Sequence, residues 1–316
     1  MLEHPHYRFA VFVGHVEGGA PHPFEVWVNG SEQPRGLGAL AKTLSMDMRA
    51  DDQAWLKLKL DALAKAGGDD AIDMPFPPRG EIKRMPSVVS AFAQVVRYRV
   101  DQLASGLSDE KFTLMAAQGT SPVMDSMFAL KEPKTGTDGT MSWTVDIFNP
   151  RTGDDFVLGL KEIALPDGVT RPYSVWLSGE YPRALDGLCK ILSLDMRVLD
   201  PAWIGMKLRK LLNVGEPLGQ FMAPVPGERR QQLWPSTVAY IAGLVIHRYT
   251  MLGVLDAAGF PLNAMGILQV PSDKPRDGGA AAPMAGARCP ECANPTLIHK
   301  DGCEFCTTCG YIGACG

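Results

Sequence analysis

Apolar and polar residues alternate along "YRFAVFVGHV" and "FEVWVNG", which predicts two strands with Val, Phe and Trp on a period of two. The same alternation returns in "WTVDIFNP", "DFVLGLKEI" and "YSVWLSG", predicting three more. After each set the period lengthens. Leu37, Leu40, Lys42, Leu44 and Met48 mark a helix, and Leu185, Leu188, Lys190, Leu192 and Met196 mark another. Asp52 and Asp200 stand where they would cap a second helix in each set, carrying Trp55 and Trp203. "PFPPRGE" and "APVPGE" read as breaks, and a last helix is expected from about Pro86 and Pro235, since proline suits a first turn.

The two sets are one pattern written twice. The stretch beginning at Phe24 and the stretch beginning at Tyr173 align with a single gap, and about half of some forty positions are identical. Trp27 pairs with Trp176, Arg35 with Arg183, Ser45 with Ser193, Asp47 with Asp195, Arg49 with Arg197 and Trp55 with Trp203. The expected fold class is therefore α+β: two tandem copies of a small antiparallel sheet covered by helices, then a flexible linker and a C-terminal zinc ribbon. The boundaries read as 1–130 and 141–268 for the copies, 271–288 for the linker and 289–316 for the ribbon. The linker, rich in Pro, Gly and Ala, would act as a tether with an r.m.s. span on the order of 20–25 Å.

Composition adds limits. At 316 residues, 46% apolar and 21% charged, the chain reads as a globular protein, and no apolar run is long enough to span a bilayer. "MLEHPHYRFAVFVGH" lacks a basic flank and a cleavage site, so it reads as a strand rather than a signal peptide. The net charge of -4 and the lack of a basic run weigh against nucleic acid and offer no membrane-binding patch. There is no P-loop, no GxGxxG after a strand, no HExxH and no serine nucleophile elbow.

Cysteine changes the picture. Of seven cysteines, six lie in "CPECANPTLIHKDGCEFCTTCGYIGACG", which argues for metal or redox chemistry in a reducing, cytoplasmic compartment. Cys289-x2-Cys292 and Cys306-x2-Cys309 have zinc-ribbon spacing, and four thiolates close a tetrahedron around Zn(2+). A segment this short has little core of its own, so the metal is expected to supply its folding energy. Cys303 and Cys315 remain over. They are either a dithiol for exchange or two incidental residues on a structural ribbon. Cys303 could also replace a metal ligand, and His299 is a weaker candidate. Cys189, opposite Ala41 in the repeat alignment, reads as a small buried apolar residue.

The segment "CPEC…GCEFCTTCGYIGACG" resembles the C-terminus of adenosylcobalamin-dependent (class II) ribonucleotide reductases, departing at Ala293 where that family usually has glycine. The duplicated portion resembles the TSCPD domain through "FEVWV", "TLSMDMR" and "MPSVV", and again through "YSVWL", "ILSLDMR" and "WPSTV". Met85 and Trp234 stand where that domain has its naming cysteine, so no thiol role carries over to the repeats. The radical barrel is missing from this chain. The resemblance therefore implies the smaller component of a split reductase, inactive alone. The adenosylcobalamin would sit on a large catalytic subunit, and thioredoxin or glutaredoxin would be a further partner. It implies a shuttle made by Cys303 with Cys315, or by Cys309 with Cys315 if Cys303 takes the metal. Two other readings stand beside it: a zinc-ribbon module binding nucleic acid or protein with no redox role, and an independent thiol oxidoreductase. The paired arginines could bind a phosphate, but residues shared by both copies more often hold the common fold. Asp47 with Arg49, and Asp195 with Arg197, are expected to form local ion pairs or helix-end contacts.

Overall fold

The computed structural model describes residues 2–4, 6–16, 21–105, 121–140, 142–165, 168–263, 265, 289–291, 297–300, 303–306 and 311–315. It is an α+β structure of small antiparallel sheets and helices. Strands β1 (Leu2–His4), β2 (Tyr7–Val16) and β3 (His22–Glu32) form one sheet in that order. Helices α1 (Leu37–Arg49) and α2 (Gln53–Ala64), a hairpin of β4 (Ile72–Phe76) and β5 (Glu81–Met85), and helix α3 (Val88–Ala104) follow. A single turn, α4 (Pro122–Asp125), precedes a second sheet of β6 (Ser142–Asn149), β7 (Asp154–Ala164) and β8 (Thr170–Glu180). Then come α5 (Ala184–Asp195), α6 (Pro201–Leu212), a hairpin of β9 (Phe221–Pro224) and β10 (Gln231–Trp234), and α7 (Thr237–Met251). A last meander joins β11 (Leu297–Lys300), β12 (Cys303–Cys306) and β13 (Ile312–Cys315). No helix among the described residues is long and apolar enough to cross a membrane.

Alternation decides what each strand buries. Val26 and Val175 point into the core, whereas Trp27 and Trp176 stand on the outer faces at 44% and 40% exposure. Leu40 and Leu44 of α1 meet Leu188 and Leu192 of α5 in one continuous apolar cluster, to which α2, α3, α6 and α7 add their inner faces. The close start of α1 against α5 depends on Gly36. Its φ of 83° suits glycine, and a Cβ there would meet Leu185 Cδ2 at 2.6 Å.

The capping expectation holds for the second helices: Asp52 accepts from Trp55 N at 2.9 Å and Asp200 from Ala202 N at 2.9 Å. The third helices differ from expectation by two residues. Ser87 accepts from Ser90 N and Ser236 from Ala239 N, so the serines cap, and Pro86 and Pro235 lie just outside the helix. A hydroxyl that satisfies an orphan N–H sets the start more firmly than the fixed φ of proline. The breaks at "PFPPRGE" and "APVPGE" are the turns of the hairpins β4–β5 and β9–β10. Residues 271–288, the expected linker, lie outside the described residues.

Candidate functional site

The first site is buried where α1, α2, α5 and α6 meet. Asp47 ends α1's inner face, and Trp55 and Lys59, one turn apart, share a face of α2; Asp195, Trp203 and Lys207 repeat this on α5 and α6. Lys59 Nζ donates to Asp47 at 2.9 Å (Oδ2) and to Asp195 Oδ1 at 2.6 Å. Lys207 Nζ donates to Asp47 Oδ1 and lies 3.0 Å from Asp195 Oδ1. The indoles complete the shell: Trp55 Nε1 donates to Asp47 Oδ1 at 2.8 Å, and Trp203 Nε1 to Asp195 Oδ1 at 2.6 Å. The rings meet edge to face at 6.2 Å, with Lys59 over Trp55 and Lys207 over Trp203.

All four charged side chains are at 0% exposure and sum to zero. Burial alone would raise the Asp47 pKa, but Lys207 and Lys59 outweigh it and hold the carboxyl below its ordinary value. Burial brings Lys59 down to about 8 against the pull of Asp195 and Asp47. In Lys207 the same two carboxylates win over burial, and its pKa is raised. Asp195 Oδ2 has no hydrogen-bond partner. With no exposed atom to meet a substrate, the cluster acts as a lock between the first and second halves of the chain.

This overturns the expected local pairing of Asp47 with Arg49 and of Asp195 with Arg197. Residues two apart on a helix point to opposite sides. Arg49 instead pairs with Glu25 at 3.1 Å and lies over Phe24, while Arg197 donates to Leu130 O at 2.9 Å and covers the Tyr173 ring. Arg35 grips both carboxylate oxygens of Asp154, which also accepts from Thr152 and Thr237. That makes Arg35 a brace between the halves. Arg183 lies 3.6 Å from Asp69 at the surface.

The second site is the cysteine tail and its seat. Cys289 is 2% exposed and packs with Met46, Trp55, Leu194, Trp203 and Met206, with Tyr311 against the same cluster. Cys289 thus shares an apolar core with the helices beneath it. Arg209 Nη2 donates to Glu291 O and Arg209 Nη1 to Gly259 O, Lys210 lies 3.8 Å from the Glu291 carboxylate, and Lys210 also covers the Tyr311 ring. In the meander, Cys303 is the Cα partner of Cys315, Leu297 of Cys306, and His299 of Glu304. Cys292 and Cys309 lie outside the described residues. Among the described residues no three His, Cys, Asp or Glu side chains come together. Cys189 is buried in α5, where burial pushes its thiol pKa up, as suits an inert core residue.

Lys59 and Lys207 escaped the sequence reading. Their signal was a lysine shared by both halves four residues after a shared tryptophan, on the inner face of an apolar helix. Arg209, Lys210 and Glu291 carry no such mark, because the contacts between α6 and the tail have no counterpart in the repeat. Comparison with known proteins adds no relative: no family model, no curated protein and no solved structure matches this chain.

Proposed function

We propose that this chain is the accessory, C-terminal component of a split adenosylcobalamin-dependent ribonucleotide reductase, a tandem duplication ending in a zinc ribbon that carries electrons to a separate catalytic subunit. Support comes from one feature above all. Cys303 and Cys315, twelve residues apart, are directly opposed across β12 and β13. Opposed residues of an antiparallel pair lie about 4.5–5.5 Å apart at Cα, inside the roughly 4.4–6.8 Å that a disulfide spans.

One thiolate of this pair attacks a disulfide on the partner and forms a mixed disulfide. The second thiolate then displaces the partner's thiolate, leaving a Cys303–Cys315 disulfide here and a reduced dithiol there. Two electrons and two protons pass. Thioredoxin or glutaredoxin returns the pair to the dithiol by the same exchange. A tether raises the effective concentration of the carrier to about millimolar. Cys289, Cys292, Cys306 and Cys309 would hold Zn(2+), since four thiolates in two Cys-x2-Cys turns have the softness and number that zinc takes. The metal's contribution is to fold the ribbon.

The test is a Cys→Ser series on the full chain. C303S and C315S should retain one zinc per chain and lose thioredoxin-dependent nucleotide reduction in the presence of the cobalamin-binding subunit. Zinc loss from C303S would transfer the shuttle to Cys309 and Cys315. A wild-type chain that leaves the partner's turnover unchanged would overturn the assignment.

A further inference from the structure

Between β3, α1 and α6 lies a cavity of ≈350 Å³, at the small end of the range for small-ligand sites. Lys42 and Arg49 of α1, Lys210 of α6 and Trp27 of β3 line it. Glu25 faces it as well and pairs with Arg49 at 3.1 Å. Lys42 is half-buried and makes no ion pair among the described residues. Burial pushes its pKa down and the nearby Lys210 pushes it further, while Glu291 acts in the opposite sense. Two ammonium groups crowding one recess oppose each other, and an anion placed between them relieves that repulsion.

The Glu291 carboxylate comes within 3.8 Å of Lys210 from the side of the tail. Trp27 supplies the apolar wall: Phe12 stacks on it with ring centroids 5.3 Å apart, and 44% of its surface stays exposed. The repeat does not reproduce the constellation in the second half. The repeat alignment pairs Lys42 with Lys190 and Arg49 with Arg197, but it pairs Lys210 with Ala62. Arg197 is moreover turned to Leu130 O and the Tyr173 ring.

We propose that this cavity binds a phosphate monoester bearing a flat apolar group, with the phosphate held by Lys42, Lys210 and Arg49 and the apolar group lying against Trp27. A phosphate dianion can engage several cations at once, which suits it to the recess better than a single carboxylate. Its share of Lys210 comes at the expense of Glu291, so ligand and tail compete. A polymer fits less well, because the three cations line a single small recess and the chain is net negative at -4.

Calorimetric titration of the full chain at low salt, with phenyl phosphate and with inorganic phosphate, tests this. One phenyl phosphate should bind per chain. K42Q and K210Q should each weaken it about tenfold, a loss of roughly 1.4 kcal/mol, and K42Q, which breaks no ion pair, should do so while melting at the wild-type temperature. W27A should weaken phenyl phosphate and leave inorganic phosphate unchanged, and E291Q should tighten both. The proposal falls if the wild type shows no saturable binding at millimolar ligand, or if the two lysine variants bind like the wild type. It falls equally if E291Q weakens binding, or if a thymidine oligomer binds more tightly than phenyl phosphate with a steep salt dependence. None of these readouts depends on the redox assignment of the tail.

Discussion

Lys59 and Asp195 lie 136 residues apart in the chain and 2.6 Å apart in the fold. Each half contributes one aspartate and one lysine to the buried cluster, and both lysines reach across to the other half's carboxylate. Water cannot compensate a missing partner there. K59M or D195N should each destabilise the chain by about 3–5 kcal/mol. The K59M/D195N double variant should cost clearly less than the sum, because neither charge is left stranded. Urea denaturation of the four proteins measures the coupling; simple additivity would mean that the two groups do not interact.

The cluster also sets an acid limit. The folded pKa of Asp47 lies below the ordinary 3.8, so the unfolded chain takes up this proton first. The stabilisation is complete above about pH 3.8 and drains away as pH falls through the folded value. Denaturation midpoints between pH 2.5 and 6 should fall on the acid side, and D47N should flatten that limb while lowering the plateau. An equally steep limb in D47N would assign the effect to other carboxylates.

Cys189 gives the opposite sign. Burial raises its folded pKa above the ordinary 9.0, so the neutral thiol favours the folded state. Its contribution is present below pH 9.0 and is lost as pH rises past that value, where only the unfolded chain ionises. In the native protein the thiol should resist iodoacetamide. C189A, which installs the residue found at the paired position Ala41, should lose part of the alkaline decline in stability. Rapid alkylation of native Cys189, read by peptide mass, would contradict the burial argument.

Asp52 and Asp200 cap equivalent helices, and Asp52 also ties down α4. It accepts from Ser121 Oγ at 2.7 Å and Val123 N at 3.2 Å, so it anchors α4 as well as α2. Loss of either cap should cost at least about 1 kcal/mol, the usual value for an N-cap. D52A, unlike D200A, should also expose residues 121–125 to faster amide exchange. Unchanged exchange there in D52A would mean that α4 is held by its apolar contacts alone.

Much of this fold could be read from period and caps. Alternation located β2, β3 and β6 to β8, the longer period located α1 and α5, and Asp52 and Asp200 marked the starts of α2 and α6. The hairpins β4–β5 and β9–β10 were hidden because their Pro- and Gly-rich turns read as breaks, and because strands of 4 and 5 residues show too few alternations to register. The buried charges were missed for a different reason. An aspartate two residues from an arginine suggests a local pair, and only the packing of four helices turns Asp47 toward Lys59 and Lys207. At the tail, spacing was sufficient to propose ligands, whereas the seat made by Arg209 and Lys210 depends on which helix the tail meets.

Cys289 is packed into the same apolar cluster as Trp55 and Trp203. A tail that lifted from its seat would admit solvent to two indoles that are otherwise sealed, and their emission would move to longer wavelength. The protein would thereby carry a built-in optical gauge of tail position, readable without any attached dye.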